Sequence, residues 1–156
     1  MWNVKVQKFL QVIFVMTVTG YVASSNAHDA GAEMDPSGSV PGFTGYAAVT
    51  CTNSGDIPTD RLIASIKDTS PPQGNLLVNL QIIKGTSIGS AISTTDPVPG
   101  DADFSPSVAV HGGNGVYLLL VNKTGAGARS FIVSYHCVAA DGLTHTDTDI
   151  KVHQFQ

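Results

Sequence analysis

From Phe43 onward, apolar and polar residues alternate in short runs, separated by clusters of Gly, Pro, Asn and Asp at intervals of roughly 10–15 residues. A period of two sends successive side chains to opposite faces of a strand. Runs this short, with turn chemistry between them, build sandwiches or barrels rather than βαβ units. No segment carries a sustained helical period. The composition agrees: 13% of residues are charged, 16 are Gly, and 11 of the 12 acidic residues are Asp, which favours turns over helix surfaces.

Eight strands are expected. The first six are Gly45–Thr52 (Ala47, Val49 and Cys51 on one face), Arg61–Lys67 (Leu62, Ala64 and Ile66 inward), Leu76–Ile83, Ser87–Ser93, Ser107–His111 and Val116–Asn122. Val116–Asn122 is apolar on both faces, which predicts a central strand covered on two sides. The last two follow from Asp141-Gly142, a two-residue hairpin signal between extended runs. With that loop, opposed residues have numbers summing to 283. One face then joins Phe131 to Val152, Val133 to Ile150, Tyr135 to Thr148 and Cys137 to Thr146. The other sets His136 against Asp147, Ser134 against Asp149 and Val138 against His145. The expected fold class is all-β, an antiparallel β-sandwich (immunoglobulin-like or jelly-roll-like).

Residues 1–27 carry Lys5 and Lys8, an apolar run from Phe9 to Val18 and a small-residue exit at Ser25 and Ala27, the layout of a signal peptide cleaved after Ala27. The run is about ten residues, against about 20 for a spanning helix, so no transmembrane segment is expected after processing. Residues 28–42 are rich in Gly, Pro and Asp and read as a flexible lead, with a single domain over 43–156. The expected location is periplasmic or secreted. Two of the eight basic residues lie in the leader, so the chain from His28 keeps six against twelve acids, a net charge of −6. With no basic cluster, a nucleic-acid partner is not expected. Cys51 and Cys137 form an even pair in an exported chain and read as a disulfide. Closing so long a loop contributes about 4–5 kcal/mol by loop-closure entropy.

In the expected hairpin register, His136, His145, Asp147 and Asp149 lie within direct or diagonal cross-strand reach, a donor set suited to Cu(II) or Zn(II). The alternative is a solvated sheet face on which imidazole and carboxylate are merely opposed. Cleavage after Ala27 would make His28 the amino terminus, where α-amine and imidazole together chelate copper. In this the chain resembles small exported copper carriers of the copper-resistance C type, which also begin with His, and oxidative polysaccharide monooxygenases, whose copper site uses such a residue. The chain departs from these families: it begins His-Asp rather than His-x-His, only Met34 offers a thioether, and residues 28–156 are short for such an oxidase.

The stretch GDADFSPSVAVHGGNGVYLLLVNKTGAGARSFIVSYHC, residues 100–137, is similar to the second half of a bacterial pre-peptidase C-terminal domain, with its Asp-x-Asp-Phe strand entry and its Gly-x-Tyr strand leading to an aromatic-alternating strand. The resemblance covers about a quarter of the chain. It implies a jelly-roll-like accessory domain, some members of which bind calcium or polymers. By this comparison Asp101 and Asp103, with Asp96, are a Ca²⁺ candidate through hard oxygen ligands. A loop of turn-favouring aspartates is the other account.

There is no His-Glu-x-x-His, no Cys-x-x-Cys-His and no phosphate-cradling Gly loop. The expected function is therefore non-enzymatic binding, of a transition metal such as copper. The alternative is a structural or self-assembling interaction module at the cell surface. Pairing Val116–Asn122 with Ser130–Cys137 would put Tyr117, Leu119, Val121 and Ile132 on one face. That apolar strip would suit a protein partner or a homo-oligomer.

Overall fold

The computed structural model describes residues 28–85 and 89–154. They form nine strands in chain order: β1 (His28–Met34), β2 (Thr44–Thr52), β3 (Arg61–Asp68), β4 (Val78–Lys84), β5 (Ser90–Thr95), β6 (Val108–His111), β7 (Gly115–Lys123), β8 (Arg129–Val138) and β9 (Asp147–Gln154). A four-stranded sheet has the order β1-β8-β3-β6 and a five-stranded sheet the order β5-β4-β7-β2-β9, with every pairing antiparallel. The Cys51–Cys137 disulfide bolts β2 of one sheet to β8 of the other. The architecture is the expected all-β sandwich with one disulfide.

The period-two pattern sorts side chains as the sequence requires. Val49, Cys51, Leu62, Ala64, Ile66, Val78, Leu80 and Ile82 all face the space between the sheets and are buried. Each fully buried Leu or Ile removed from water contributes about 2 kcal/mol. β7 is the central strand of its sheet. Its inward side chains Tyr117, Leu119 and Val121 are core, while Val116 and Leu118 on its other face are exposed. The expectation that β7 is covered on both sides is thus corrected, because no second layer of the described residues lies over that face.

Residues 28–42 are not a flexible lead. Ala30, Ala32 and Met34 alternate with Asp29, Gly31 and Glu33, and this period of two lets β1 pair with β8 from His28↔Tyr135 to Met34↔Arg129. Just beyond, Asp35 holds φ +50°, and its buried carboxylate accepts hydrogen bonds from Lys123 Nζ (2.7 Å), Ser39 N (3.0 Å), Val40 N (3.0 Å) and Gly127 N (3.3 Å). This tie makes the segment part of the domain. Residues 1–27, and with them the expected signal peptide, lie outside the described residues, as do 86–88 at the start of the expected fourth strand.

The long last hairpin is also corrected. Its register survives only at the turn, in the Val138↔His145 bridge and in hydrogen bonds from Ala139 N to Thr144 O (2.9 Å) and from Thr146 N to Cys137 O (2.9 Å). β9 then leaves β8 and pairs with β2 in the other sheet, from Thr52↔Asp147 to Tyr46↔Gln154. Two contacts fix this corner. Thr59 and Thr146 hydroxyls hydrogen-bond at 2.6 Å, and Thr148 Oγ1 takes the Cys137 N–H at 3.0 Å, so a side chain replaces the next rung of the ladder.

Candidate metal centre

Because β8 and β9 part at the corner, the five metal-ligand candidates separate. His136 points to the outer face of the four-stranded sheet, opposite Ile63 of β3. His145, in the corner, lies diagonally across the Val138 bridge, and its ring stacks on that of His136 with centroids 4.6 Å apart and planes inclined by 12°. His28 is paired directly with Tyr135, so its side chain leans to the core side of the sheet rim, where its ring stacks on Tyr135 at 5.9 Å. Asp147 and Asp149 go with β9 onto the outer face of the other sheet, opposite Thr52 and Thr50. The expected pairs His136–Asp147 and Ser134–Asp149 do not form.

What remains together is the imidazole pair of His136 and His145, with His28 on the other face of the sheet. His136 Nδ1 is buried and has no hydrogen-bond partner. Burial pushes the His136 pKa down from 6.5, and the neighbouring His145 and His28 push it further in the same direction. The ring is therefore neutral at pH 7, and its buried Nδ1 is left without a partner among the described residues. Among the described residues no group of three or more His, Cys, Asp or Glu side chains is arranged to hold a metal ion. The stack explains why: ring-nitrogen lone pairs lie in the ring planes, so near-parallel rings direct them side by side instead of at one point. Turning either imidazole about its Cβ–Cγ bond is the movement needed to bring two nitrogens onto one ion.

The same face carries a second polar group that the sequence did not disclose. Asp60 Oδ2 lies 2.8 Å from Arg61 Nη1 and 2.9 Å from His111 Nδ1. Arg61 stands opposite both Val138 and His111, which puts this trio one row from His136. His111 therefore has a carboxylate partner where His136 has none. The loop tip beyond His136 is ordered by Asp141, whose carboxylate accepts from Leu143 N (2.9 Å), Thr144 N (2.8 Å) and Thr144 Oγ1 (2.6 Å). The Thr144 hydroxyl and those amides hold its pKa down, to about 2.

The calcium candidates do not converge. Asp96 is buried, with Oδ1 accepting from Val98 N (3.0 Å) and Oδ2 from Asp68 N (2.6 Å). Asp101 and Asp103 are exposed, and Asp101 Oδ1 accepts the Asp103 N–H at 3.0 Å. These carboxylates stabilise turns, the other account of that loop. The strip of Tyr117, Leu119, Val121 and Ile132 is not a surface either: β7 and β8 belong to different sheets, and the three β7 residues are core.

No family model matches this chain, and neither the curated proteins nor the solved structures contain a significant match to it. Among the described residues no helix is long and apolar enough to cross a membrane.

Proposed function

We propose that this is an exported, non-enzymatic binding protein whose ligand is a transition metal ion, copper first, taken by His136 and His145. The observation that carries the reading is the buried, unpartnered Nδ1 of a neutral His136 in contact with a second imidazole. A buried polar atom without a partner costs about 1–3 kcal/mol, and an ion bound through the pair would offset that cost. An all-nitrogen donor set favours borderline ions such as Cu(II) and Zn(II) over Ca²⁺. The fully buried disulfide is in keeping with an oxidising compartment.

Isothermal titration of protein beginning at His28 tests the reading. The expected result is one Cu(II) bound with Kd below about 1 µM, weakened at least tenfold in His136→Ala and in His145→Ala. Equal affinity in wild type and His136→Ala contradicts it.

A further inference from the structure

The two lateral sides of the sandwich are finished differently. Where β5 and β6 form the edges, residues 96–107 cross from one sheet to the other and seal the gap, with Thr94 Oγ1 donating to Pro106 O (2.8 Å) and Ser105 N to Ile66 O (2.8 Å). Where β1 and β9 form the edges, the chain crosses between the sheets only at strand ends, in residues 35–43 and 139–146, among the described residues. Ile150 and Val152 of β9 point toward the core, yet Ile150 is only half-buried and Val152 is 41% exposed. A small apolar cavity of about 30 Å³ opens there, lined in part by Ala30, Phe131, Val133, Ile150 and Val152. Among the described residues β9 thus has one strand partner, β2, and a free hydrogen-bonding edge beside uncovered apolar side chains.

The outward side chains of this edge run Asp147, Asp149, Lys151, His153, two acids followed by two bases. All are exposed. A strand with that order is complementary to itself when reversed. Antiparallel pairing of two β9 strands about a two-fold axis at Ile150 sets Asp149 against Lys151 of the second copy and Asp147 against its His153. Each contact is repeated by symmetry. On the inner face Ile150 meets Ile150, and Thr148 meets Val152. Sliding the register by two residues either way sets Asp149 against Asp149 or Lys151 against Lys151, which like-charge repulsion disfavours. The other open edge lacks this property: β1 paired with itself about Gly31 opposes Asp29 to Glu33.

We propose that β9 is a homodimerisation edge, through which a second copy of this chain extends the five-stranded sheet across a two-fold axis at Ile150. The charge order of the edge and the uncovered Ile150 and Val152 select a second copy as its occupant. It is independent of metal binding. Pairing brings the two Ile150 Cα atoms to about 4.5–5.5 Å, within disulfide range.

Sedimentation velocity with EDTA present, which removes metal-bridged species, is the test. Wild type is expected to be dimeric at about 100 µM and to dissociate on dilution and with added salt. Lys151→Asp sets a carboxylate against Asp149 of the second copy and is expected to raise the dimer Kd at least tenfold. Asp149→Lys combined with Lys151→Asp restores opposite charges across the axis and is expected to return Kd to within about threefold of wild type. Ile150→Cys adds the one free thiol, since the native chain has no free cysteine among the described residues, and is expected to form a disulfide-linked dimer under mild oxidation. A wild type monomeric throughout, a Lys151→Asp dimer of unchanged affinity, or a double exchange that fails to recover association overturns the proposal.

Discussion

Two sets of polar groups are withdrawn from solvent in this sandwich, ion pairs between the sheets and an imidazole pair on an outer face, and they are treated in opposite ways. Lys123 and Asp35 are fully buried, 2.7 Å apart, and saturated: Lys123 Nζ also donates to Val40 O and Gly125 O, while Asp35 collects backbone amides from three further residues. Burial opposes the charge on Asp35, but the Lys123 contact and the amide donors outweigh it and hold the carboxyl well below the usual carboxylate range. Arg129 and Asp68 form a second buried pair, 3.6 Å apart, with Arg129 Nη1 donating to Pro71 O, while Arg129 Nε and Nη2 and Asp68 Oδ2 have no hydrogen-bond partner among the described residues. The His136–His145 pair contains two like groups, carries no carboxylate and leaves a buried nitrogen unused. The ion pairs close the fold on itself. The histidines instead sit half-buried on the outer face of a sheet with no charge partner, and that difference is the basis for assigning function to one set and stability to the other.

The largest expected effect breaks the comparison from its structural side. Arg129→Met removes the cation facing Asp68, with Asp96 also close by, and is expected to destabilise the protein by about 3–5 kcal/mol, read as a shift of the urea midpoint at unchanged m-value. His136→Phe replaces an unpartnered imidazole with an apolar ring and is expected to change stability by less than about 1 kcal/mol in the same assay. Equal losses in the two variants would mean that the histidine pair is as structural as the ion pairs.

The pH dependence separates the sets next. His136 resists protonation in the fold while the unfolded chain protonates near pH 6.5, so the unfolded state binds more protons and stability falls as pH drops below about 6.5. Asp35 acts lower. Its carboxyl is depressed in the fold, so its contribution is complete above about pH 4 and is lost as pH falls beneath that. A plot of Tm against pH is expected to show two separate declines, with His136→Gln flattening only the upper one. A profile unaltered by that substitution contradicts the neutral-imidazole assignment.

The smallest expected effect concerns the loop that carries His145. Asp141→Ala removes the acceptor for the Leu143 and Thr144 amides. It is expected to lower Tm by no more than about 2–4 °C while speeding hydrogen exchange at those two amides.

The faces of strands were legible in the sequence where their neighbours were not. Ile150 and Val152 face inward, as their spacing requires, but beside β2 rather than β8. A period of two fixes which side a residue faces and says nothing about which strand lies alongside. The Asp141-Gly142 signal held only for the turn itself, because long-range contacts from Thr59 and Thr148 redirect the chain at the corner. The disulfide was read from cysteine count, and His145 was brought to His136 by the part of the register that survives. β1 was hidden by composition: Gly, Pro and Asp around it mask the alternation of Ala30, Ala32 and Met34. The Asp35–Lys123 tie spans 88 positions, and no local pattern encodes it.

Electron paramagnetic resonance of Cu(II) added at one equivalent to the protein beginning at His28 tests the central claim most directly. The expected spectrum shows equatorial nitrogen ligation with imidazole coupling, and that coupling is diminished in His136→Ala and in His145→Ala. A Cu(II) spectrum of oxygen ligation, or one unchanged by both substitutions, contradicts the assignment of these imidazoles as the metal site.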